Sequence, residues 1–353
     1  MPNPITTDNG IMEHQLPLAQ LITNLHYLQH PELETRYGKP GREKCTQDAV
    51  FHLSYLSEAI RAESTEIFTA YLEWAQVMLQ TRKIPVQDLM DNLDCMENAC
   101  QQLLPAADYQ KITPYIKNGI QRLKILRPLP ASCLTESNPL LPVAKEYLSL
   151  LLKANRNQAK SLILELVKNN YPVADIYEHI FQATQYEVGL LWQTNKITVA
   201  HEHYCTAATQ LIMASLYPYI FDTEKKGAKM LACTVSGDLH EIGIRMVSDF
   251  FEMDGWDTYY MGSNMPDTSI ISAAKEQQAD ILAISVTMPF HIHKAESLIK
   301  KIRSDEEIAS LKIIVGGYPF SLVPDLWSRI GADGAAGNAK QAIKLANQMI
   351  LLN

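Results

Sequence analysis

Apolar residues recur every three or four positions through the first third of the chain. Val50, Leu53, Leu56 and Ile60 form one stripe, Phe68, Leu72, Ala75 and Leu79 a second, and Leu89, Leu93, Met96 and Leu103 a third. That period puts the apolar residues on one face of a helix, so the pattern predicts an N-terminal helical bundle over residues 1–134. Pro85 suits the first turn of the third helix, and Pro105 and Pro114 punctuate the stretch beyond it. Pro128-Leu129-Pro130, Ser132 and Ser137-Asn138-Pro139 mark a short linker. Helical spacing resumes past the linker over 140–222, in Leu148, Leu151 and Leu152, in Leu162 and Leu166, and in a run from Ala174 that meets no glycine before Gly189.

The pattern changes after residue 227. Short apolar runs at Met230 to Val235, Ile281 to Val286 and Ile313 to Val315 alternate with helical stretches, such as Ile242 to Met253 and one starting at Asp267. Asp257 to Tyr260 reads as a further strand, leading into a turn through Met261-Gly262-Ser263-Asn264-Met265-Pro266. This alternation predicts a doubly wound, five-stranded parallel sheet over 227–353, joined to the two all-α segments. Ligands of such sheets sit at the carboxyl ends of the strands, near the point where strand order reverses.

Chemistry-bearing residues cluster at those strand ends. Asp238-Leu239-His240-Glu241-Ile242-Gly243 comes after the first run, Ser285-Val286-Thr287 closes the second and Gly316-Gly317 closes the third. A histidine so placed can ligate a metal through one ring nitrogen while the other donates to a carboxylate, and Asp238 is the nearest partner. Gly316 and Gly317 would let a ligand approach the backbone where a Cβ would block it. A buried, hydrogen-bonded histidine in an ordinary doubly wound domain is the alternative. His291 and His293, beyond Pro289-Phe290, read as surface histidines of a loop.

The order Asp-x-His-x-x-Gly, Ser-x-Thr, Gly-Gly resembles the cobalamin-binding domain family, whose pattern has Ser-x-Leu where this chain has Ser285-Val286-Thr287. The resemblance implies His240 as lower axial ligand of cobalt and Asp238 as its partner. It also implies Gly243, Ser285, Thr287, Gly316 and Gly317 around the cofactor's nucleotide tail, and 140–222 as a four-helix cap over the upper face. Glu187 to Trp192, with Val199-Ala200-His201-Glu202-His203, is similar to the signature of light-sensing adenosylcobalamin domains, in which Trp192, Val199, Glu202 and His203 would cover the adenosyl group. Those repressors carry a histidine after the tryptophan, where this chain has Gln193, which disfavours a bis-histidine photoproduct by that route; His201 or His203 could substitute after a helix shift. Core packing for Trp192 and a solvated helix start for Glu202-His203 remain the bland alternatives.

Composition narrows the function. The 353 residues, 47% of them hydrophobic, provide for two or three domains with cores of their own. No apolar run approaches membrane-spanning length, and the polar start Met1 to Gly10 predicts neither signal peptide nor membrane anchor. Six cysteines without a Cys-x-x-Cys pair argue against a zinc site and fit reduced thiols in a cytoplasm. A net charge of -8 and the absence of a helix-turn-helix with a basic stretch speak against direct nucleic-acid binding.

For the bundle, Tyr37-Gly38, Gly41-Arg42-Glu43, His52 to Leu56 and Tyr71 to Ala75 make the whole look like the photocobilins, which pair cobalamin with biliverdin. Arg42, His52 and Tyr55 are bilin contacts by chemistry alone; a dimerisation or signalling bundle with aromatic core residues is the other reading. The resulting expectation is a light sensor and not an enzyme. Light would break the cobalt-carbon bond of adenosylcobalamin and change domain arrangement or oligomeric state, with a homo-oligomer or a light-dependent partner protein as output. The alternative is a corrinoid carrier of a methyltransferase system. A mutase subunit is disfavoured, because no eight-stranded barrel accompanies the sheet.

Overall fold

The computed structural model describes residues 10–125, 128–221 and 223–351; residues 1–9, on which the expectation of no signal peptide or anchor rests, lie outside the described residues, as does position 222. Its contacts divide the chain into two compact units, and the division does not respect the order of the sequence. One unit holds the N-terminal helices together with residues 288–296 and 318–331, and the other holds the rest.

The first unit holds helices α1 (Gln15–Gln29), α2 (Glu32–Arg61), α3 (Thr65–Thr81), α4 (Val86–Leu103) and α5 (Ala106–Leu123); the predicted stripes of α2, α3 and α4 turn inward, apart from Leu103, which is exposed. Leu53, Leu56, Phe68, Leu72, Leu93 and Met96 are fully enclosed. Gly119 in α5 lies so close to α3 that a Cβ there would meet Leu72 Cδ1 at 2.4 Å. Gly38 turns the chain within α2 at φ +59°, just ahead of Pro40, so the long second helix is kinked near its start.

The candidate bilin residues are part of this packing. His52 Nδ1 meets the Tyr71 hydroxyl at 2.7 Å, and Tyr55 stacks on the Tyr71 ring at 3.8 Å between centroids. Arg42 donates to Asn24 Oδ1 and lies over the Tyr27 ring. Phe290 stands edge-on to Tyr55. The surface-loop expectation for His291 is corrected here: it is only 7% exposed, because residues 288–296 pack with α2 inside this unit. His293 donates through Nδ1 to the buried Glu58 carboxylate at 3.0 Å, whose neighbour Arg61 pairs with Glu296 at 2.9 Å.

The second unit contains the helical segment and the sheet. Helices α6 (Leu141–Leu152), α7 (Arg156–Lys168), α8 (Val173–Ile176), α9 (Ala183–Gln193), α10 (Val199–Ala214) and α11 (Tyr217–Ile220) form the cap. A π-helical turn, Tyr177–Gln182, joins α8 to α9 in one rod. Tyr147, Ile163, Tyr177, Phe181, Cys205 and Met213 enclose the cap's core, and Met246 and Phe250 complete it from the sheet side.

The sheet runs β1 (Lys229–Val235), α12 (Ile242–Met253), β2 (Asp257–Met265), α13 (Asp267–Gln277), β3 (Ile281–Ser285), α14 (Ile292–Arg303), β4 (Lys312–Gly316), α15 (Tyr318–Leu322), α16 (Leu326–Arg329), β5 (Gly334–Ala336), α17 (Ala339–Leu351). All pairs are parallel and the order is β2-β1-β3-β4-β5. Strand order therefore reverses between β1 and β3, as in any doubly wound sheet with a switch point. One predicted boundary moves: β2 does not end at Tyr260 but continues to Met265. It stays beside β1 through two register shifts, with Gly262 and Asn264 at positive φ taking up the irregularity.

Candidate functional site

The switch point is where the three predicted motifs meet. After β1 the chain turns through Gly237, at φ +84°, and is held by hydrogen bonds. The Thr234 hydroxyl donates to the Asp238 carbonyl at 2.7 Å, the Asn264 amide donates to Thr234 Oγ1 at 2.9 Å, and the Gly237 amide donates to Asn264 Oδ1 at 2.7 Å. This knitting fixes a carboxylate that is fully enclosed, that of Asp238. Its Oδ2 accepts the Thr287 amide at 2.7 Å. Its Oδ1 accepts the His240 amide at 3.1 Å and the His240 ring Nδ1 at 2.9 Å.

The consequence is a defined imidazole. Because Nδ1 faces a carboxylate it carries the hydrogen, which leaves Nε2 with its lone pair on a side chain that is 56% exposed. The hydrogen bond that His240 donates to Asp238 raises the His240 pKa above its ordinary value, against the effect of burial, and the Asp238 and Glu202 carboxylates add to the rise. Glu202 belongs to α10 of the cap, and Gln210 of the same helix donates to Glu241, the residue after His240.

On the cap side, Glu202 accepts from His203 Nδ1 at 2.5 Å and from Thr206 Oγ1 at 3.3 Å. Val199 is exposed and Trp192 half-buried. Gln193, which stands where light-sensing repressors have a histidine, is buried. His201 meets the Thr198 hydroxyl at 2.8 Å through Nδ1 and caps the start of α10, an engagement that the substitute-ligand role would have to break.

The glycines divide. Gly317 sits at φ +109° with its Cβ position 2.0 Å from the Val286 carbonyl oxygen, so the protein's own backbone demands glycine there, whereas a Cβ on Gly316 would stand 3.1 Å from the Ala336 carbonyl oxygen, a tight contact only. The fold itself therefore requires glycine at 317. A Cβ at Gly243 would meet nothing within 4 Å, so the surrounding protein sets no need for glycine there. Ser285, half-buried, pairs with Thr234 at the end of β1 and with Gly316 at the end of β4, and the half-buried Thr287 gives its amide to Asp238.

Several residues of the site escape sequence reasoning. Thr234, Asn264, Glu241 and Gln210 all bear on it, yet only the glycine-asparagine turn of 262–264 carries a signal, and that signal is the one any plain turn gives. Glu241 accepts from Gln210 of the cap at 3.0 Å and from the Tyr260 hydroxyl at 3.2 Å.

These atoms fit a corrinoid. A metal needs an oriented nitrogen donor, which Asp238 supplies through His240, and a flat macrocycle needs a second wall, which the helical cap supplies. A helical cap joined to a doubly wound sheet with an Asp-His pair at the switch point defines a cobalamin-binding protein.

Comparison agrees. A family described as "B12 binding domain" matches residues 228–346, and a second of the same description matches 143–217. The chain is 30% identical over 169 residues to a corrinoid protein of Desulfitobacterium hafniense, covering 46% of this chain and 76% of that protein. It is 29% identical over 200 residues to dimethylamine corrinoid protein 3 of Methanosarcina acetivorans, covering 54% of this chain and 91% of that one. The solved Methanosarcina barkeri monomethylamine corrinoid protein superposes with a TM-score of 0.52 at 22% identity, over 59% of this chain and 99% of that one, a likeness of fold. The chain belongs to the B12-binding corrinoid protein family.

The light-sensor expectation is thereby overturned, since these relatives are corrinoid proteins. Signal transduction and a biliverdin chromophore find no support in them either, and His52, Tyr55 and Arg42 are engaged as described above. The relatives are named as corrinoid proteins and not as enzymes, in keeping with the expectation that this chain is not itself an enzyme. No described helix is long and apolar enough to cross a membrane.

Proposed function

We propose that this chain is a corrinoid carrier of a methyltransferase system, holding cobalamin between the cap over 140–222 and the sheet domain over 227–353 and presenting it to partner enzymes. The observation that carries this reading is the enclosed Asp238 carboxylate, which orients His240 with Nε2 available beneath a cap. When bound, the corrinoid supplies a cobalt that accepts and gives up a methyl group.

The chain's own residues bind and orient. Asp238 keeps the hydrogen on Nδ1 of His240 and so keeps Nε2 as a ligand, tying it through the Thr287 amide to the end of β3. Gly243, Ser285, Thr287, Gly316 and Gly317 line the strand ends where the nucleotide tail would lie. Trp192, Val199, Glu202 and His203 form the wall above. That wall suits a carrier: Val199 and His203 are exposed, so the upper side is reachable by a partner. The relatives named for dimethylamine and monomethylamine point to methylated amines as the class of methyl donor in the partner reaction.

Reconstitution tests this reading. Purified protein mixed with hydroxocobalamin should retain it through gel filtration, and the reduced, loaded protein should accept a methyl group from a methylated amine when a cognate methyltransferase is supplied. A chain that retains no cobalamin, or that shows a large preference for adenosylcobalamin over methylcobalamin, would overturn it.

A further inference from the structure

Helix α2 ends among residues that come far later in the chain. Its last turns carry Phe51, Tyr55, Glu58 and Arg61, spaced by three or four and so set on one face. Phe290 stands edge-on to Tyr55, with ring centroids 5.2 Å apart, and 6.3 Å from the ring of Phe51. His293 Nδ1 meets Glu58 Oε2 at 3.0 Å, and Arg61 Nη2 donates to Glu296 Oε2 at 2.9 Å. All these partners belong to residues 288–296, which pack with the N-terminal helices. A second segment of the same unit, 318–331, meets the end of the helix. Arg329 Nη1, on an almost enclosed side chain, donates at 2.7 Å to the carbonyl of Ala62, the residue that closes α2. A guanidinium there satisfies a carbonyl that the helix leaves without a partner.

The charge pairs fix more than apolar packing would. Glu58 and Glu296 are each 3% exposed, and a carboxylate taken so far out of water is stable only where its cation meets it in the right geometry. Arg61 serves both, 2.9 Å from Glu296 and 3.9 Å from Glu58. Rings that only touch could slide, whereas this set of charges holds one placement of residues 290–296. Both segments held by α2 start at motifs of the candidate site. Met288 follows Thr287, whose amide donates to Asp238 Oδ2 at 2.7 Å, and Tyr318 follows Gly317, which has no room for a Cβ against the Val286 carbonyl. The family matches begin at residue 143, so α2 lies ahead of them and its contribution has to be read from its own contacts.

We propose that Glu58 and Arg61 are positioning residues for the nucleotide-tail side of the corrinoid site. By holding residues 290–296 they fix where the segment leaving β3 starts, and with it Thr287. The corrinoid-carrier reading supplies the ligand here, whereas the line of contacts from α2 to Thr287 belongs to the chain alone. Asp238 and His240 have anchors of their own in the turn after β1, through the Thr234 hydroxyl and the His240 amide. Slackening the segment after β3 therefore falls first on the slot beside Ser285 and Thr287. A corrinoid without a nucleotide tail gains nothing from that slot.

The full chain tests this with and without corrinoid. In the cobalamin-free protein, Arg61→Ala should speed hydrogen exchange at the Thr287 amide and leave the His240 amide as in the parent. The same variant should bind hydroxocobalamin about tenfold more weakly, the scale of loss when a partner behind a binding group is removed, yet bind cobinamide, which lacks the nucleotide tail, within about twofold of the parent. Arg61→Lys, which keeps the cation, should recover most of the tail-dependent affinity. Should Arg61→Ala not fold, Glu58→Gln, which keeps the shape of the side chain and removes its charge, takes its place with the same expected pattern. An unchanged Thr287 exchange rate in a folded variant overturns the proposal, as do affinities for cobalamin and cobinamide that change by the same factor or not at all. Faster Thr287 exchange in the variant, with a parent that retains neither corrinoid, upholds the positioning role and overturns the carrier reading.

Discussion

At the scale of single residues, the site depends on one enclosed carboxylate that serves three donors: the Thr287 amide, the His240 amide and the His240 ring. Asparagine at 238 has one acceptor oxygen in place of two, so Asp238→Asn should lower corrinoid affinity by about 10–100-fold, the range seen when a metal ligand loses its orienting partner. His240→Ala should go further, giving a loaded spectrum without histidine ligation; retention and spectrum like the parent's would reject both roles. A second residue sets the acid response. Burial pushes the His52 imidazole down to about 4 from its ordinary 6.5, so the folded chain binds fewer protons than the unfolded one between those values. Stability present above pH 6.5 is lost as pH falls toward 4, by an amount on the order of 3 kcal/mol in full. Melting temperatures measured across that window should fall less steeply in His52→Gln, and parallel curves would remove His52 as the cause.

At the scale of elements, the inner strands β1, β3 and β4 are apolar over most of their length because both faces are covered, and Met230 to Val235 is buried throughout. Strand ends are then the only places for polar chemistry. Gly317 shows how tightly those ends are packed: alanine there adds a Cβ 2.0 Å from a backbone oxygen at a φ that side chains avoid. Gly317→Ala should cost about 3 kcal/mol or more, read by urea unfolding, and should misplace Val286 between Ser285 and Thr287. An alanine variant as stable as the parent would mean that β4 relaxes without cost. In the cap, the Tyr177 hydroxyl beside Asp249 is the corresponding fixed point, and the carboxyl there is pushed up to about 6 by burial.

At the scale of the whole molecule, the corrinoid reading makes a statement about preference. An upper wall with exposed Val199 and His203 offers little enclosed surface to an adenosyl group. Methylcobalamin and adenosylcobalamin should therefore bind within a few-fold of each other in competition titrations, and a preference of 100-fold, about 3 kcal/mol, would require a closed adenosyl pocket instead. Residues 288–296 and 318–331 belong to the compact unit of the N-terminal helices although they come after β3 and β4 in the chain. Chain order alone divides the protein into three consecutive domains, and the packing of these two segments crosses that division.

The sequence by itself determined the periodicities, and through them the helical bundle, the cap helices and the alternating strands, because amphipathic period is a local property that each segment carries alone. It also placed Asp238 and His240 at a strand end, since two residues of separation in one turn almost oblige them to meet. Tertiary structure decided what depended on residues far apart in the chain. Asn264 on Thr234, Gln210 on Glu241 and Tyr177 on Asp249 pair across 30, 31 and 72 positions, and no local pattern announces such partners. The continuation of β2 to Met265, the burial of His291 and the backbone demand for Gly317 have the same origin: each is set by a neighbour that only folding brings near.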